Sequence, residues 1–184
     1  RQMCIRDRHY LGWKRGFGFA VILFIIGYFS TVRGQYQNGL EVLSEYGFSV
    51  LKGKNVAVVV NHTSVDHYNN HFIKLAHDEG VKIKAIFSPE HGFKGVVEAG
   101  EKVDNGFENL TGAPIYSLYG KTKKPTSEML KGIDILIFDM QDIGVRYYTY
   151  VSTLTLAIES AAENSIPFIV LDRVNPIGHE VETV

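Results

Sequence analysis

Four short runs of apolar residues alternate along the chain with segments that are apolar on one side only. Each run ends at a polar or turn-forming residue, a pattern typical of strands that are buried on both faces of a sheet. We therefore predict four strands, at Val56–Val60, Val81–Phe87, Ile133–Phe138 and Phe168–Leu171.

Helical patterns separate these predicted strands. Residues 69–79 carry four apolar side chains between Phe72 and Ala76 and precede Gly80, which is a common residue after a last helical turn. A second helix is predicted at Val151–Glu163, and a short one is expected to begin at Pro125. Strands that alternate with helices predict a parallel sheet with helices on both faces. The expected fold class is α/β, a Rossmann-like three-layer sandwich with a mostly parallel sheet.

An apolar segment lies ahead of this pattern. Residues 16–32 read GFGFAVILFIIGYFSTV and follow the basic pair Lys14-Arg15, as in an export signal or a membrane anchor. The most apolar part is shorter than the roughly 20 residues that usually span a bilayer, which favours a cleaved signal. No small-x-small cleavage site follows, so an uncleaved anchor is the alternative. We expect residues 1–34 to be a signal peptide or N-terminal anchor, with residues 1–8 fitting no targeting pattern, as in an artefactual start.

Charge and cysteine content exclude several classes of protein. The net charge is −1, and basic residues are concentrated in the first fifteen positions, so the remaining chain has no basic stripe for nucleic acid. The single cysteine, Cys4, precedes the apolar segment. An intrachain disulfide is therefore impossible, and no cluster of cysteines indicates a zinc site.

Polar residues follow each predicted strand. In open α/β sheets, ligands bind at the carboxyl ends of the strands, so these residues form the expected site. The candidates are Asn61, His62 and Ser64 after the first strand, Glu90 and His91 after the second, Asp139, Gln141 and Asp142 after the third, and Asp172 and Arg173 after the fourth. The polar stretch from Ser88 to Thr111 far exceeds the usual connection of about 4 to 6 residues, and such long loops are usually functional.

Glu90 is the leading candidate for acid–base chemistry. A carboxyl group at a strand exit, shielded by neighbouring loops, can have a raised pKa and act as a general acid. The alternative is that Glu90 caps a turn or pairs with a basic residue. Hydrolysis of a glycosidic bond commonly needs a second carboxylate, about 5 Å from the first in retaining enzymes and about 6.5 to 9.5 Å in inverting ones. The candidates for it are Asp139, Asp142, Asp172, Glu98 and Glu101, and Asp139 and Asp172 equally suit a structural role in holding loop amides.

Arg146, Tyr147 and Tyr148 are candidates for substrate binding. The guanidinium group of Arg146 is a planar donor suited to a substrate carboxylate, and the tyrosine rings could stack on a sugar. The alternative is that the rings pack in the core and that Arg146 pairs with Asp142.

Metal and nucleotide sites are not expected. His67 and His71 are four residues apart, but they lie in a polar stretch where solvated histidines are ordinary, and no HExxH motif is present. The first strand is followed by NHTSVD, which lacks the glycines that cradle a phosphate. We therefore expect no metal and no cofactor, and a nucleotide-dependent enzyme is the least favoured interpretation.

Several long motifs lie at or near the same strand ends. They are NHTS at 61–64, FSPEHGF at 87–93, AGEKVD at 99–104, PIYSLYGKTKKPT at 114–126, FDMQDIGVRYYTY at 138–150 and LDRVNPIG at 171–178. In this order they resemble the motifs of the exo-β-N-acetylmuramidase (NamZ-like) family. Val174 departs from the family, which usually has proline after Asp-Arg. The resemblance implies that residues 39–184 are the N-terminal part of a Rossmann-like catalytic domain, which in the family is joined to a smaller C-terminal domain.

The resemblance also implies an activity. Members of the family remove N-acetylmuramic acid from the non-reducing end of peptidoglycan fragments, and Glu90 matches the proposed catalytic glutamate. We therefore expect an exported enzyme, periplasmic or extracellular, that binds muramyl saccharides and meets a membrane only through residues 16–32. Arg146 or Arg173 is the expected partner of the lactyl carboxylate. The alternative is a non-catalytic module on the same fold that binds cell-wall sugar.

Overall fold

The computed structural model describes residues 36–89 and 106–177. These residues form three α-helices, one 3-10 helix and six strands. In chain order they are α1 (Gly39–Glu45), the 3-10 helix (Ser49–Leu51), β1 (Asn55–Val60), α2 (Phe72–Asp78), β2 (Lys82–Ser88), β3 (Gly106–Phe107), β4 (Pro114–Ser117), β5 (Ile135–Asp139), α3 (Tyr150–Glu163) and β6 (Phe168–Val170).

The six strands form one sheet in the order β3-β4-β2-β1-β5-β6. All neighbouring pairs are parallel except β3 and β4, which are antiparallel. The five parallel strands therefore follow the doubly wound order in which the chain runs outwards from β1 to one edge and then, starting at β5, to the other. Because the order reverses between β1 and β5, the crevice at their carboxyl ends is where such sheets bind ligands.

Alternate residues of the central strands enter two separate cores, which gives the sheet its three layers. On one face, the core contains Val56, Val58 and Val60 of β1 together with Leu40 of α1 and Phe72 of α2. On the other face, Val59 packs with Tyr150 and Ala157 of α3. Both faces of β1 are covered, and this explains why its sequence is continuously apolar. The predicted three-layer α/β fold with a mostly parallel sheet is confirmed.

The four predicted strands are confirmed within two residues at each end, but other elements differ from the prediction. Residues 127–132 form turns, so the predicted helix after Pro125 is wrong. Helix α2 begins three residues later than predicted, because the His71 side chain caps it by accepting a hydrogen bond from the backbone N–H of Ile73. β3 and β4 were not predicted, because β3 contains two residues and β4 begins with proline.

Three segments that carry predictions lie outside the described residues. They are residues 1–35, with the apolar segment, 90–105, with Glu90, His91, Glu98 and Glu101, and 178–184. Within the described part of the chain, no helix is long and apolar enough to cross a membrane.

Candidate active site

The loops that follow β1, β5 and β6 meet at the crevice between β1 and β5. Val60, the last residue of β1, is aligned with Asp139, the last residue of β5. On the other side of β1, Val59 is aligned with Phe87, so β2 ends at the same level with Ser88. Polar side chains that leave these three strands therefore start from one edge of the sheet.

Asp139 and Arg173 form a buried ion pair at this edge. The Nε and one terminal nitrogen of Arg173 donate to the two carboxylate oxygens of Asp139 at 2.6 and 3.0 Å, and the other terminal nitrogen donates to the carbonyl of Val65 at 3.0 Å. The Asp139 side chain has no exposed surface and that of Arg173 is 7% exposed. One guanidinium group thus joins the loops after β1, β5 and β6.

Burial raises the pKa of the Asp139 carboxyl above its usual range, and the hydrogen bonds and charge of Arg173 oppose that rise. The guanidinium group can only donate, so both Asp139 oxygens act as acceptors, as in an ionised carboxylate. In this arrangement neither side chain is presented to a ligand. The geometry favours the structural alternative for Asp139, and it leaves only 7% of the Arg173 side chain exposed.

Asn61, after the end of β1, also makes buried hydrogen bonds within the protein. Its side-chain oxygen accepts hydrogen bonds from the backbone N–H and the hydroxyl of Thr63, at 2.9 and 2.7 Å. Its side-chain nitrogen donates to the hydroxyl of Tyr150, at the start of α3, at 2.7 Å. Asn61 is fully buried and Tyr150 is 4% exposed. The amide therefore connects β1 to α3, and it is a poor candidate for direct contact with a substrate.

Ser64 and Gln141 complete these connections. The Ser64 hydroxyl accepts from the backbone N–H of Asn61 at 3.0 Å and donates to the carbonyl of Asp139. The backbone N–H of Gln141 donates to the Thr63 hydroxyl, and its side-chain nitrogen donates to the carbonyls of Asp142 and Val174. Both residues were predicted to bind substrate, and the structure places both in contacts within the protein.

The other predicted residues lie on the outside of the same edge. Arg146 is exposed and Tyr147 is 85% exposed, in the loop between β5 and α3. His62 and Asp172 are also exposed. Tyr148 is half-buried, and its ring lies 4.6 Å from that of Tyr150 in an edge-on arrangement.

Two buried polar oxygens at this edge have no hydrogen-bond partner within residues 36–89 and 106–177. They are the hydroxyl of Ser88 and Oδ2 of Asp142. The other carboxylate oxygen of Asp142, Oδ1, accepts from the backbone N–H of Gly144 at 2.7 Å. Because a buried unpaired oxygen is costly, each is a position where a partner outside the described residues would be stabilising.

His71 has a structural role that its sequence position did not suggest. Its Nδ1 accepts from the backbone N–H of Ile73 at 3.2 Å, and its Nε2 lies 2.8 Å from the carbonyl oxygen of Asn61. These contacts require the neutral ring with the proton on Nε2. Burial lowers the pKa of His71, which favours the same neutral form. His67, by contrast, lies outside α2 and contacts the carboxylate of Glu41 at 2.8 Å.

No set of three metal-binding side chains comes together in the part of the chain that the structure describes. Sequence reasoning missed Thr63, His71 and Tyr150. An Asn-x-Thr pattern after a strand is a signal for an Asx turn, which could have identified Thr63. The contacts of His71 and Tyr150 are made to Asn61, 10 and 89 residues away in the chain, so no local pattern indicates them.

Comparison with known proteins identifies the family of this chain. The sequence model described as "Exo-beta-N-acetylmuramidase NamZ, N-terminal" matches residues 56–183, which is more than half of the chain. The chain belongs to this family. The predicted resemblance is therefore confirmed.

Relatives of the chain agree with this assignment. The peptidoglycan beta-N-acetylmuramidase NamZ of Bacillus subtilis (strain 168) is 46% identical over 143 residues, which are 77% of this chain and 34% of that protein. Two crystal structures of DUF1343 family proteins from Bacteroides fragilis NCTC 9343 are also similar. One has a TM-score of 0.70 at 50% identity and the other 0.64 at 37% identity, over 77% and 78% of this chain. The chain spans about a third of the length of these relatives.

Proposed function

We propose that the full-length protein is a glycoside hydrolase that releases N-acetylmuramic acid from the non-reducing end of peptidoglycan fragments, in cell-wall turnover and recycling. The proposal is supported by the family of residues 56–183 and by the activity named for the Bacillus subtilis relative. The activity is assigned to the full-length protein, because these residues correspond to only about a third of that relative.

The alignment of the strand ends is the observation that carries the proposal. β2 ends at Ser88, beside the carboxyl end of β1, and Glu90 follows two residues later in the chain. We propose that Glu90 is the general acid that protonates the oxygen of the leaving sugar, and that His91 assists it. The neighbouring loops belong to the crevice at which doubly wound sheets bind ligands.

Asp142 is our proposed second carboxylate, in preference to Asp139. Both oxygens of Asp139 accept hydrogen bonds from Arg173, whereas Oδ2 of Asp142 has no partner within residues 36–89 and 106–177. A carboxylate without a bonded cation can stabilise positive charge on the sugar or orient a water molecule. Of the two arginines predicted to meet the substrate, Arg146 is the exposed one.

The first test uses the full-length protein without residues 1–34 and a chromogenic β-glycoside of N-acetylmuramic acid. Release of the chromophore from this substrate, and none from the matching N-acetylglucosamine glycoside, is the expected result. No release from either substrate by the folded protein would contradict the proposed activity and favour the non-catalytic sugar-binding module.

A second test concerns the catalytic carboxylates. In Glu90→Gln we expect turnover to fall by about 10²- to 10⁴-fold, the usual contribution of a general acid, with ligand affinity retained. Asp142→Asn should also lower turnover without changing the urea midpoint of unfolding. Full activity in Glu90→Gln would contradict the assignment of Glu90, and full activity in Asp142→Asn would contradict that of Asp142.

We also propose that the protein is exported, to the periplasm or the exterior, because peptidoglycan lies there and residues 16–32 have the pattern of a signal or anchor. Fractionation of cells that produce the full-length protein would test this proposal. Recovery of the protein in the cytoplasm with residues 16–32 intact would contradict it.

A further inference from the structure

A cavity of about 260 Å³ lies between the loop after β4 and the first turns of α3. Its lining includes Leu118, Tyr119 and Lys123 from the loop and Ser152 and Leu156 from the helix. Residues 118–123 belong to the motif PIYSLYGKTKKPT, which contributes neither to the ion pair nor to the exposed loop before α3. The cavity is therefore lined in part by a family motif to which no role has yet been given.

The cavity is at the same edge of the sheet as the proposed active site. The backbone N–H of Leu118, in its wall, donates to the carbonyl of Ser88 at 2.7 Å, and Ser88 lies two residues before Glu90 in the chain. The hydroxyl of Tyr150, at the start of the same helix, accepts a hydrogen bond from the buried side-chain amide of Asn61. One wall of the cavity is thus joined to the end of β2, and the other is joined to the end of β1.

The chemistry of the lining suits a small group with one negative charge and one methyl. Lys123 supplies a cation, and the lining contains no carboxylate. The ammonium group of Lys123 has no ion pair within the described ranges 36–89 and 106–177, whereas the neighbouring Lys124 is paired with Glu159 and Glu163. The side chains of Leu118 and Leu156 provide apolar surface, and Ser152 provides a hydroxyl group.

We propose that this cavity binds the lactyl group of muramic acid, with Lys123 on its carboxylate and the leucines on its methyl group. The inference rests on the proposed function, since it names the subsite that would distinguish muramic acid from N-acetylglucosamine. It assigns the lactyl carboxylate to Lys123 and not to Arg146, because Arg146 does not line this cavity. Lys123 is accordingly a specificity-determining residue.

The test compares three variants of the full-length protein, Lys123→Met, Lys124→Met and Arg146→Met. Each is assayed on the chromogenic N-acetylmuramic acid glycoside and on the same compound with its lactyl carboxylate converted to a methyl ester. We expect Lys123→Met to raise KM for the acid roughly 10-fold with kcat nearly unchanged, as for the loss of one hydrogen bond to a charged group. It should not raise KM for the ester, and Lys123→Arg should recover part of the loss.

Lys124→Met is the matched control, and its KM for both substrates should equal that of the wild type. The inference is wrong if KM for the acid is unchanged in Lys123→Met, if the loss is equal for acid and ester, or if Arg146→Met alone shows the acid-specific loss. If the wild type cleaves neither substrate, the proposed function fails. Calorimetric titration with free N-acetylmuramic acid and N-acetylglucosamine then tests the subsite separately. Tighter binding of N-acetylmuramic acid that Lys123→Met removes would support the subsite, and a preference that Lys123→Met leaves intact would contradict it.

Discussion

Two groups of polar residues at the same edge of the sheet differ in burial and in hydrogen bonding. The first, which we call the brace, consists of Asn61, Ser64, Asp139, Tyr150 and Arg173, and its side chains are buried and bonded to one another or to backbone. The second is the loop of residues 142–148, where Arg146 and Tyr147 are exposed.

The two groups contain the same residue types in opposite environments. Arg173 and Arg146, and Tyr150 and Tyr147, form two such pairs. A buried member of a pair fixes the backbone of the crevice, and an exposed member is available to a ligand. The difference predicts that substitutions in the brace change stability, whereas substitutions in the loop change substrate binding.

The largest effect is expected for Arg173→Met. The substitution leaves the Asp139 carboxylate buried without its partner, which usually costs about 3 to 5 kcal/mol of unfolding free energy. Urea unfolding followed by circular dichroism measures the change. Arg146→Met is the control, and a surface substitution of this kind should change stability by less than about 0.5 kcal/mol. Equal losses in the two variants would remove the distinction between brace and loop.

A smaller loss is expected for Gly39→Ala. Gly39 donates its backbone N–H to the carbonyl of Asp172 at 2.7 Å, and an added Cβ would lie 2.6 Å from the backbone of Leu171. This contact requires the backbone to move, so we expect a cost of about 1 to 3 kcal/mol. Gly106→Ala is the control, because no atom of residues 36–89 or 106–177 lies within 4 Å of its added Cβ. A stable Gly39→Ala protein would show that the loop after β6 can shift.

The tyrosine pair gives a still smaller effect. Tyr150→Phe removes the hydroxyl that contacts Asn61, and we expect a loss of about 1 kcal/mol, typical of one intramolecular hydrogen bond. Tyr147→Phe should leave the unfolding free energy unchanged, because the ring is 85% exposed. Both variants can be compared by thermal unfolding. A larger loss in Tyr147→Phe than in Tyr150→Phe would contradict the assignment.

The last prediction concerns the pH dependence of stability. Burial lowers the pKa of His71 in the folded protein below its ordinary value of 6.5, so the unfolded chain binds more protons between the two pKa values. Stability from the neutral ring is complete above pH 6.5 and is lost as pH falls through the folded pKa. One proton limits the slope to about 1.4 kcal/mol per pH unit. His71→Asn, which keeps a helix-capping oxygen, should make the urea midpoint of unfolding less dependent on pH between pH 5 and 6.5. An unchanged pH dependence would contradict this assignment.

The order of elements could be predicted because each central strand is buried on both faces. β1 and β5 are continuous apolar runs, and a run of this kind has few alternatives in an α/β pattern. β3 and β4 have no such signal, since they lie at the edge of the sheet and are only partly buried. The turn after Pro125 resembled a helix start, because proline is favoured in the first helical turn and also in turns.

Among site residues, the sequence by itself determined which ones follow strand ends, and therefore which ones gather at one edge of the sheet. It also determined the family, because several long motifs occur in the same order. Only the tertiary structure decided that Asp139 is bonded to Arg173 while Asp142 retains an unpaired oxygen among the described residues. The physical reason is that burial and hydrogen bonding depend on which loops meet. The partners of Asp139 and Asn61 are 34 and 89 residues away in the chain, beyond any local pattern.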